Sequence, residues 1–259
     1  MSSEHINADR FADSAGKPWA GRSFDENENQ HDDGRAPEHL LVALKNFANQ
    51  KISADKVVDA LRGSRLLIPL VANLGESGEG AHGHTVDKSA ELSIITVSTP
   101  DNQVALPAFT SVEAMQAWNP KARPVPNQAR VVALAAASEN STRLVIDATS
   151  EHEFVLRRPA IAALAQDLPW QSAEANLLVR NAVDQAIDSI EQIKHFTLLS
   201  GDPLSRLAGP ELVVVLYLAP GLSSTELESI EGQIFERLSL AKEFVAAVDS
   251  MAIKFLAAD

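Results

Sequence analysis

LPAFTSVEAMQAWNPKARPVP, Leu106 to Pro126, carries a Phe, a Trp, two basic residues and four prolines around a short helical segment. Its reading decides the fold class, because it sets a strand end, a helix and an extended return side by side. QVALPAF, ending at Phe109, reads as a strand. Thr110 and Glu113 have capping-box spacing, with Thr110 as N-cap and Glu113 at N3. The helix SVEAMQAW ends near Asn119, since Pro120 cannot continue it. Arg123 to Pro126, RPVP, is then forced into an extended path.

Working outward, AELSIITVSTP is a strand before this stretch, and Pro100-Asp101-Asn102 is a turn, so a hairpin is expected. Further upstream, PEHLLVALKNFANQ opens on Pro37 and places Leu40, Leu41, Leu44 and Phe47 at helical spacing. Ser53 looks like the N-cap of DKVVDALRG, which Gly63 ends. RLLIPLVAN is a buried strand, with Pro69 suggesting a bulge or an edge. Downstream, ARVVALAAAS is a helix, TRLVIDAT and EFVLR are strands, and RPAIAALAQ is a helix with Pro159 near its start. The pattern pauses at DLPW. A long amphipathic helix should follow, with Leu178, Ala182, Ala186, Ile190 and Ile193 on one stripe. HFTLLSG and ELVVVLYLAP are strand-like, and Ser223 and Glu226 form a second capping box. Its helix turns Leu227, Ile230, Ile234 and Leu238 inward, and MAIKFLA is the last strand. The chain therefore reads as α+β, two domains with mixed or antiparallel sheets flanked by helices. Residues 1–36 are expected to be a flexible acidic tail, 37–169 one domain, and 170–259 a smaller α-β-β-α-β domain. An acidic docking arm is the alternative reading of FDENENQHDDGR in the tail.

Composition limits function. The 259 residues include 22 Lys and Arg against 35 Asp and Glu, a formal net charge of −13. Sequence-independent nucleic-acid binding and docking on anionic membranes both run on positive charge and are not expected. There is no cysteine, which excludes a thiolate nucleophile, a disulfide or a Cys-based metal site. No apolar leader is visible at the N-terminus, and LVVVLYLA is too short to span a bilayer as a helix. A cytoplasmic protein is expected.

Chemical motifs are sparse. GESGEGAHGH, Gly75 to His84, follows a strand but lacks a Gly-Lys-Ser/Thr ending, so it reads as a loop, not a phosphate cradle. His82, His84 and Asp87 could chelate a transition metal, though an ordered metal site is not expected there. No Gly-x-Ser-x-Gly elbow exists. His39 and His195 fall in regular elements where packing accounts for them. No catalytic residue, cofactor or metal is assigned. The candidate ligand- or partner-binding groove is Phe109, Thr110, Trp118, Lys121 and Arg123: an Arg beside an aromatic face can hold a carboxylate or phosphate.

The same stretch resembles the signature of the SseB family, named for enhanced serine sensitivity. DKSAELSIITVSTPDNQVALP before it and RLVIDATSEHEFVLRRPAIAAL after it fit the same pattern. Pro120 with Arg123 to Pro126 is similar to actinobacterial members. The resemblance covers roughly residues 37–169; the remainder is similar only in the general manner of the family's second domain. It implies a cytosolic two-domain α+β protein and brings no catalytic motif. If the family touches serine or sulfur-amino-acid metabolism, the absence of cysteine rules out a persulfide-carrying thiol here.

Three readings stay open. The first is a non-catalytic binding or regulatory protein with a protein partner or small anionic ligand. The second is an enzyme acting on a small anionic metabolite, such as an amino acid or acyl phosphate, held by Arg123, with a carboxylate such as Asp147 as base. The third is a homodimer through the last strand and helix.

Overall fold

Apolar spacing in the sequence becomes buried faces in the computed structural model, which describes residues 32–73, 91–138 and 141–258. The residues from Gly34 onward form one compact unit. Helix α1 (Glu38–Ala48) buries Leu40, Leu44 and Phe47, and α2 (Ala54–Arg62) buries Val57, Val58 and Leu61. Ser53 does occupy the N-cap of α2, without a capping hydrogen bond from its side chain.

Strand β1 (Arg65–Asn73) follows, then β2 (Glu91–Ile94), β3 (Val97–Ser98) and β4 (Val104–Ala108). AELSIITVSTP, read as one strand, is thus split between two sheets. The expected hairpin forms between β3 and β4, with Asn102 at φ 58° in its turn. Next come α3 (Val112–Trp118), β5 (Arg123–Gln128), α4 (Ala129–Ser138), β6 (Arg143–Ile146), β7 (Phe154–Arg157) and α5 (Arg158–Ala165).

Two sheets result, one antiparallel in order β2-β1-β5 and one mixed in order β3-β4-β6-β7, with β4 and β6 parallel. Pro69 marks neither an edge nor a bulge. It lies in the central strand opposite Pro124, at a pair where neither residue has an N–H to give, and the ladder to β2 starts one residue later at Leu70. Both faces of β6 and β7 are buried. One face packs Leu144, Ile146, Phe154 and Leu156 under α1, α2, α4 and α5. The other packs Val145 and Val155 with Phe109, Met115 and Leu207.

The C-terminal part holds α6 (Leu177–Ile187), β8 (Ile193–Ser200), β9 (Leu212–Leu218), α7 (Ser224–Leu240), α8 (Lys242–Ala247) and β10 (Met251–Ala257). Its sheet runs β10-β9-β8, with β9 parallel to β10 and antiparallel to β8. The architecture is α+β, with sheets of mixed and antiparallel pairing. The capping box of Ser223 and Glu226 forms in full. Helix α6 is shorter than its periodicity suggested: it buries Val179, Val183, Ala186 and Ile187, while Leu178 is exposed and Ile193 belongs to β8. The apolar face is therefore rotated by about one residue from the expected stripe. Among the described residues no helix is long and apolar enough to cross a membrane.

A buried ion cluster ties β6 and β7 to the C-terminal part. Arg143 and Arg157 are directly opposed across the two strands. Like charges in that position repel. Asp249, whose side chain is 8% exposed, lies between them, 2.8 Å from Arg143 Nη2 and 3.6 Å from Arg157 Nη1. Asp101 takes a second pair of Arg143 hydrogen bonds at 2.8 and 3.0 Å, and Asp202 takes Arg157 Nη2 at 2.8 Å. Removing the shared carboxylate by Asp249→Ala is expected to lower stability by about 3 kcal/mol in urea denaturation. A loss below about 1 kcal/mol, the range of an exposed pair, would show that the cluster is solvated and not a structural link.

Candidate functional site

The residues of the opening stretch divide into a buried half and a surface half. Phe109 is fully buried. Its backbone N–H donates to Leu67 O at 2.9 Å and its carbonyl accepts from Leu67 N at 2.8 Å, joining the two N-terminal sheets. Its ring centroid is 5.2 Å from that of Trp118, tilted by 38°. Thr110 is also buried. It is not the N-cap of α3: Ser111 is, accepting from Ala114 N at 3.1 Å. The Thr110 N–H and hydroxyl both donate to the Asp147 carboxylate at 2.7 Å, and its carbonyl accepts from Arg65 at 2.5 Å. A tertiary partner has taken the side chain away from the cap.

Asp147, at φ 49°, is thereby spent on structure. Burial pushes its pKa up, against the pull of the Thr110 hydrogen bonds. Arg123 makes no hydrogen bond or ion pair with it. Trp118 is half-buried, and Lys121 and Arg123 are exposed. Neither cation has a side-chain hydrogen bond or ion pair among the described residues. The Gly75–His84 loop and the His82, His84 and Asp87 set lie outside the described residues. His39 Nε2 lies 3.0 Å from the Ser64 hydroxyl, and His195 stacks on Tyr217 with ring centroids 4.0 Å apart.

A second candidate was not anticipated. Between β8 and β9 the chain makes the loop Asp202–Pro210, whose ends close at Gly201 and Gly209. A Cβ on Gly201 would sit 2.3 Å from Pro210 O, and one on Gly209 would sit 2.5 Å from Gly201 O, so only glycine permits this neck. Inside it the Asp202 carboxylate accepts from the N–H groups of Arg206, Leu207 and Ala208 at 2.8 to 3.2 Å, besides Arg157. These bonds hold Ser205 and Leu207 in left-handed conformations, at φ 49° and 60°, that side chains ordinarily avoid. The Leu207 side chain then plugs the second face of the N-terminal sheet.

The loop forms one wall of a cavity of about 290 Å³. Phe47, Ile52, Phe154 and Trp170 give its lining an apolar part; Ser200, Ser205, Glu174 and Glu211 supply polar groups. Glu211 is 9% exposed. Its Oε2 accepts from Asp249 N at 2.5 Å, and Oε1 has no hydrogen-bond partner among the described residues. Burial pushes its pKa up from the ordinary 4.5 to about 7, opposed by the Asp249 N–H and reinforced by the Asp249 charge. A wider cleft of about 600 Å³ lies along Asp101, Arg143, Arg158 and Asp249. Its arginines are engaged too: Arg158 Nη2 donates to the carbonyls of Val245 and Val248, at 2.7 and 2.9 Å. Trp118 and Arg123 line none of these cavities.

Residues 38–163 match the family model described as SseB protein N-terminal domain, so the chain carries that domain over this span. No curated protein and no solved structure matches the chain.

The buried acid has a consequence for stability. Below its unfolded pKa Glu211 is protonated in both states. Between about pH 4.5 and pH 7 the folded chain keeps a proton that the unfolded chain releases, so this stabilising contribution is lost as pH rises. The full span is worth about 3 kcal/mol. Urea midpoints of wild type should fall from about pH 5 to about pH 8 relative to Glu211→Gln, which stays neutral. Parallel pH profiles for the two proteins would show that Glu211 titrates normally.

Proposed function

Starting from a chain that carries an SseB N-terminal domain, we propose that it is a non-catalytic binding protein acting in the cytoplasm. Its Trp118, Lys121 and Arg123 surface, backed by Phe109 and Thr110, would receive an anionic protein partner or small anionic ligand. One observation carries this reading. In a chain of net charge −13, Lys121 and Arg123 follow the half-buried Trp118 closely in the chain, stand exposed, and lack an ion pair among the described residues. Arginines elsewhere in the fold are heavily engaged: Arg143, Arg157 and Arg158 donate to carboxylates, a hydroxyl or carbonyls. An exposed, unpaired guanidinium offers a fork for a carboxylate or phosphate. The rigid backing also favours recognition, since Phe109 and Thr110 are locked by Leu67, Arg65 and Asp147.

The enzymatic alternative, with Arg123 and Asp147 acting together, draws no support from geometry, because both Asp147 oxygens are occupied by Thr110. Self-association has one supporting feature. On the face of the C-terminal sheet turned away from its helices, Leu199, opposite Val213, is 51% exposed and Leu256, opposite Tyr217, is 39% exposed. Light scattering at micromolar concentration would give twice the monomer mass if this face pairs, and a strict monomer would end the idea.

Native mass spectrometry on protein purified gently from its own cytoplasm tests the main reading. Wild type should carry a species of defined mass. Trp118→Ala and Arg123→Ala should each lose it while melting within a few degrees of wild type. If both variants unfold, the surface is core packing; if both retain the bound species, the surface is not its site.

A further inference from the structure

We propose that the cavity between β7, Trp170 and Glu211 binds a small organic cation, a protonated amine on an apolar body of about one ring. This site is separate from the Trp118 surface, and the two readings stand independently.

The cavity's positive charge is spent and its negative charge is not. Arg157 is the cationic residue of the lining. It donates to Ser250 Oγ at 3.0 Å, Asp202 Oδ2 at 2.8 Å and Gly209 O at 2.7 Å, leaving no free fork for a ligand carboxylate. Glu211, nine-tenths buried, keeps Oε1 without a protein partner. Glu174, half-buried on the same lining, forms no ion pair or side-chain hydrogen bond among the described residues. Two carboxylates on one lining without a cation of their own attract a cation and repel an anion.

The chemistry of the apolar lining selects the kind of cation. Phe47 and Phe154, with ring centroids 5.0 Å apart, and Trp170 give an aromatic lining suited to an ammonium and the carbon body that carries it. A bare metal ion fits poorly: among the described residues no group of three or more His, Asp or Glu side chains could hold one. The volume, near the lower end for small-molecule sites, limits the ligand to a compact one.

Binding should be linked to pH. The charged groups acting on Glu211 are Arg157 from β7, Glu174 from the segment before α6 and Asp249 from the turn before β10; Asp202 also lines the cavity. Arg157 and Asp202 are paired with each other, so the proton on Glu211 is what an arriving ammonium displaces. Affinity rises with pH as that proton leaves.

Benzylamine is the probe, with benzyl alcohol and benzoate as its neutral and anionic counterparts. The readout is the Trp170 indole N–H resonance of the full ¹⁵N-labelled chain, assigned with Trp170→Phe. Benzylamine should shift it saturably, several-fold more tightly at about pH 8 than at about pH 6. Glu211→Gln should weaken binding about tenfold or more and flatten the pH dependence. Because Glu211 is buried, Glu174→Gln serves as a second variant on a half-exposed residue, expected to weaken binding several-fold. Each of these results supports the site. The proposal is overturned if benzyl alcohol or benzoate binds as tightly as benzylamine. It is equally overturned if millimolar benzylamine leaves Trp170 unmoved, or if natively melting Glu211→Gln and Glu174→Gln bind it unchanged.

Discussion

The carboxylate of Asp249 stands between two arginines that the strand register forces together. Arg143 and Arg157 are opposed across β6 and β7, on a face shared with Val145 and Val155. Arg143 is 5% exposed, so its charge cannot be relieved by water. A buried cation without a partner is far more costly than a buried pair, so the carboxylates are a condition for this sheet to be covered on its second face. Because Asp249 and Asp202 come from the C-terminal part, the N-terminal sheet is completed by residues far away in the chain. The two halves are thus joined by electrostatic necessity as well as by apolar contact.

That constraint also builds the cavity. Arg157 pulls Asp202 into place, and Asp202 in turn organises the loop through three backbone N–H groups. The loop's strained residues and its glycine neck make sense only as parts of this arrangement, since neither conformation is favourable alone. Leu207 is driven against the sheet on one side, while Ser205 and Asp202 face the cavity on the other. Glu211, at the start of β9, is buried by the same closure, and its raised pKa follows from that burial.

Much of this fold was legible in the sequence, and the failures have a common cause. Local signals worked where local forces decide. The Ser223–Glu226 capping box forms because both partners lie within one exposed helical turn. Pro120 ends α3, and RPVP is extended. Signals failed where a distant residue outbid a near one. Thr110 had the spacing of an N-cap, yet Asp147, thirty-seven positions on, took its hydroxyl and N–H, and Ser111 inherited the cap. Pro69 suits an edge or a bulge by local rules, but its place in a central strand depends on Pro124 facing it and on where β2 begins to pair. Helix α6 was read too long because its stripe ran on into β8. At the candidate sites, Lys121 and Arg123 were visible as a basic pair near an indole. Glu211 and Trp170 were not: a carboxylate heading an apolar strand and a Trp after Pro169 were the only traces, and neither says that the two meet around a cavity.

The placement of cations gives the molecule its functional polarity. With 22 basic residues against 35 acidic ones, every arginine committed to an internal contact is one fewer cation free to neutralise the remaining acids. Arg143, Arg157 and Arg158 are committed in this way at the junction of the two halves. Around Glu211 the result is a recess where acids outnumber available bases, so the fold's own stability leaves that recess selective for positive charge. Around Trp118 the allocation differs: Asp147 is bound by Thr110, and Lys121 and Arg123 stand exposed without an ion pair among the described residues. Both candidate sites therefore arise from the same condition, that charges buried for structure must be matched first and only the remainder can face a ligand.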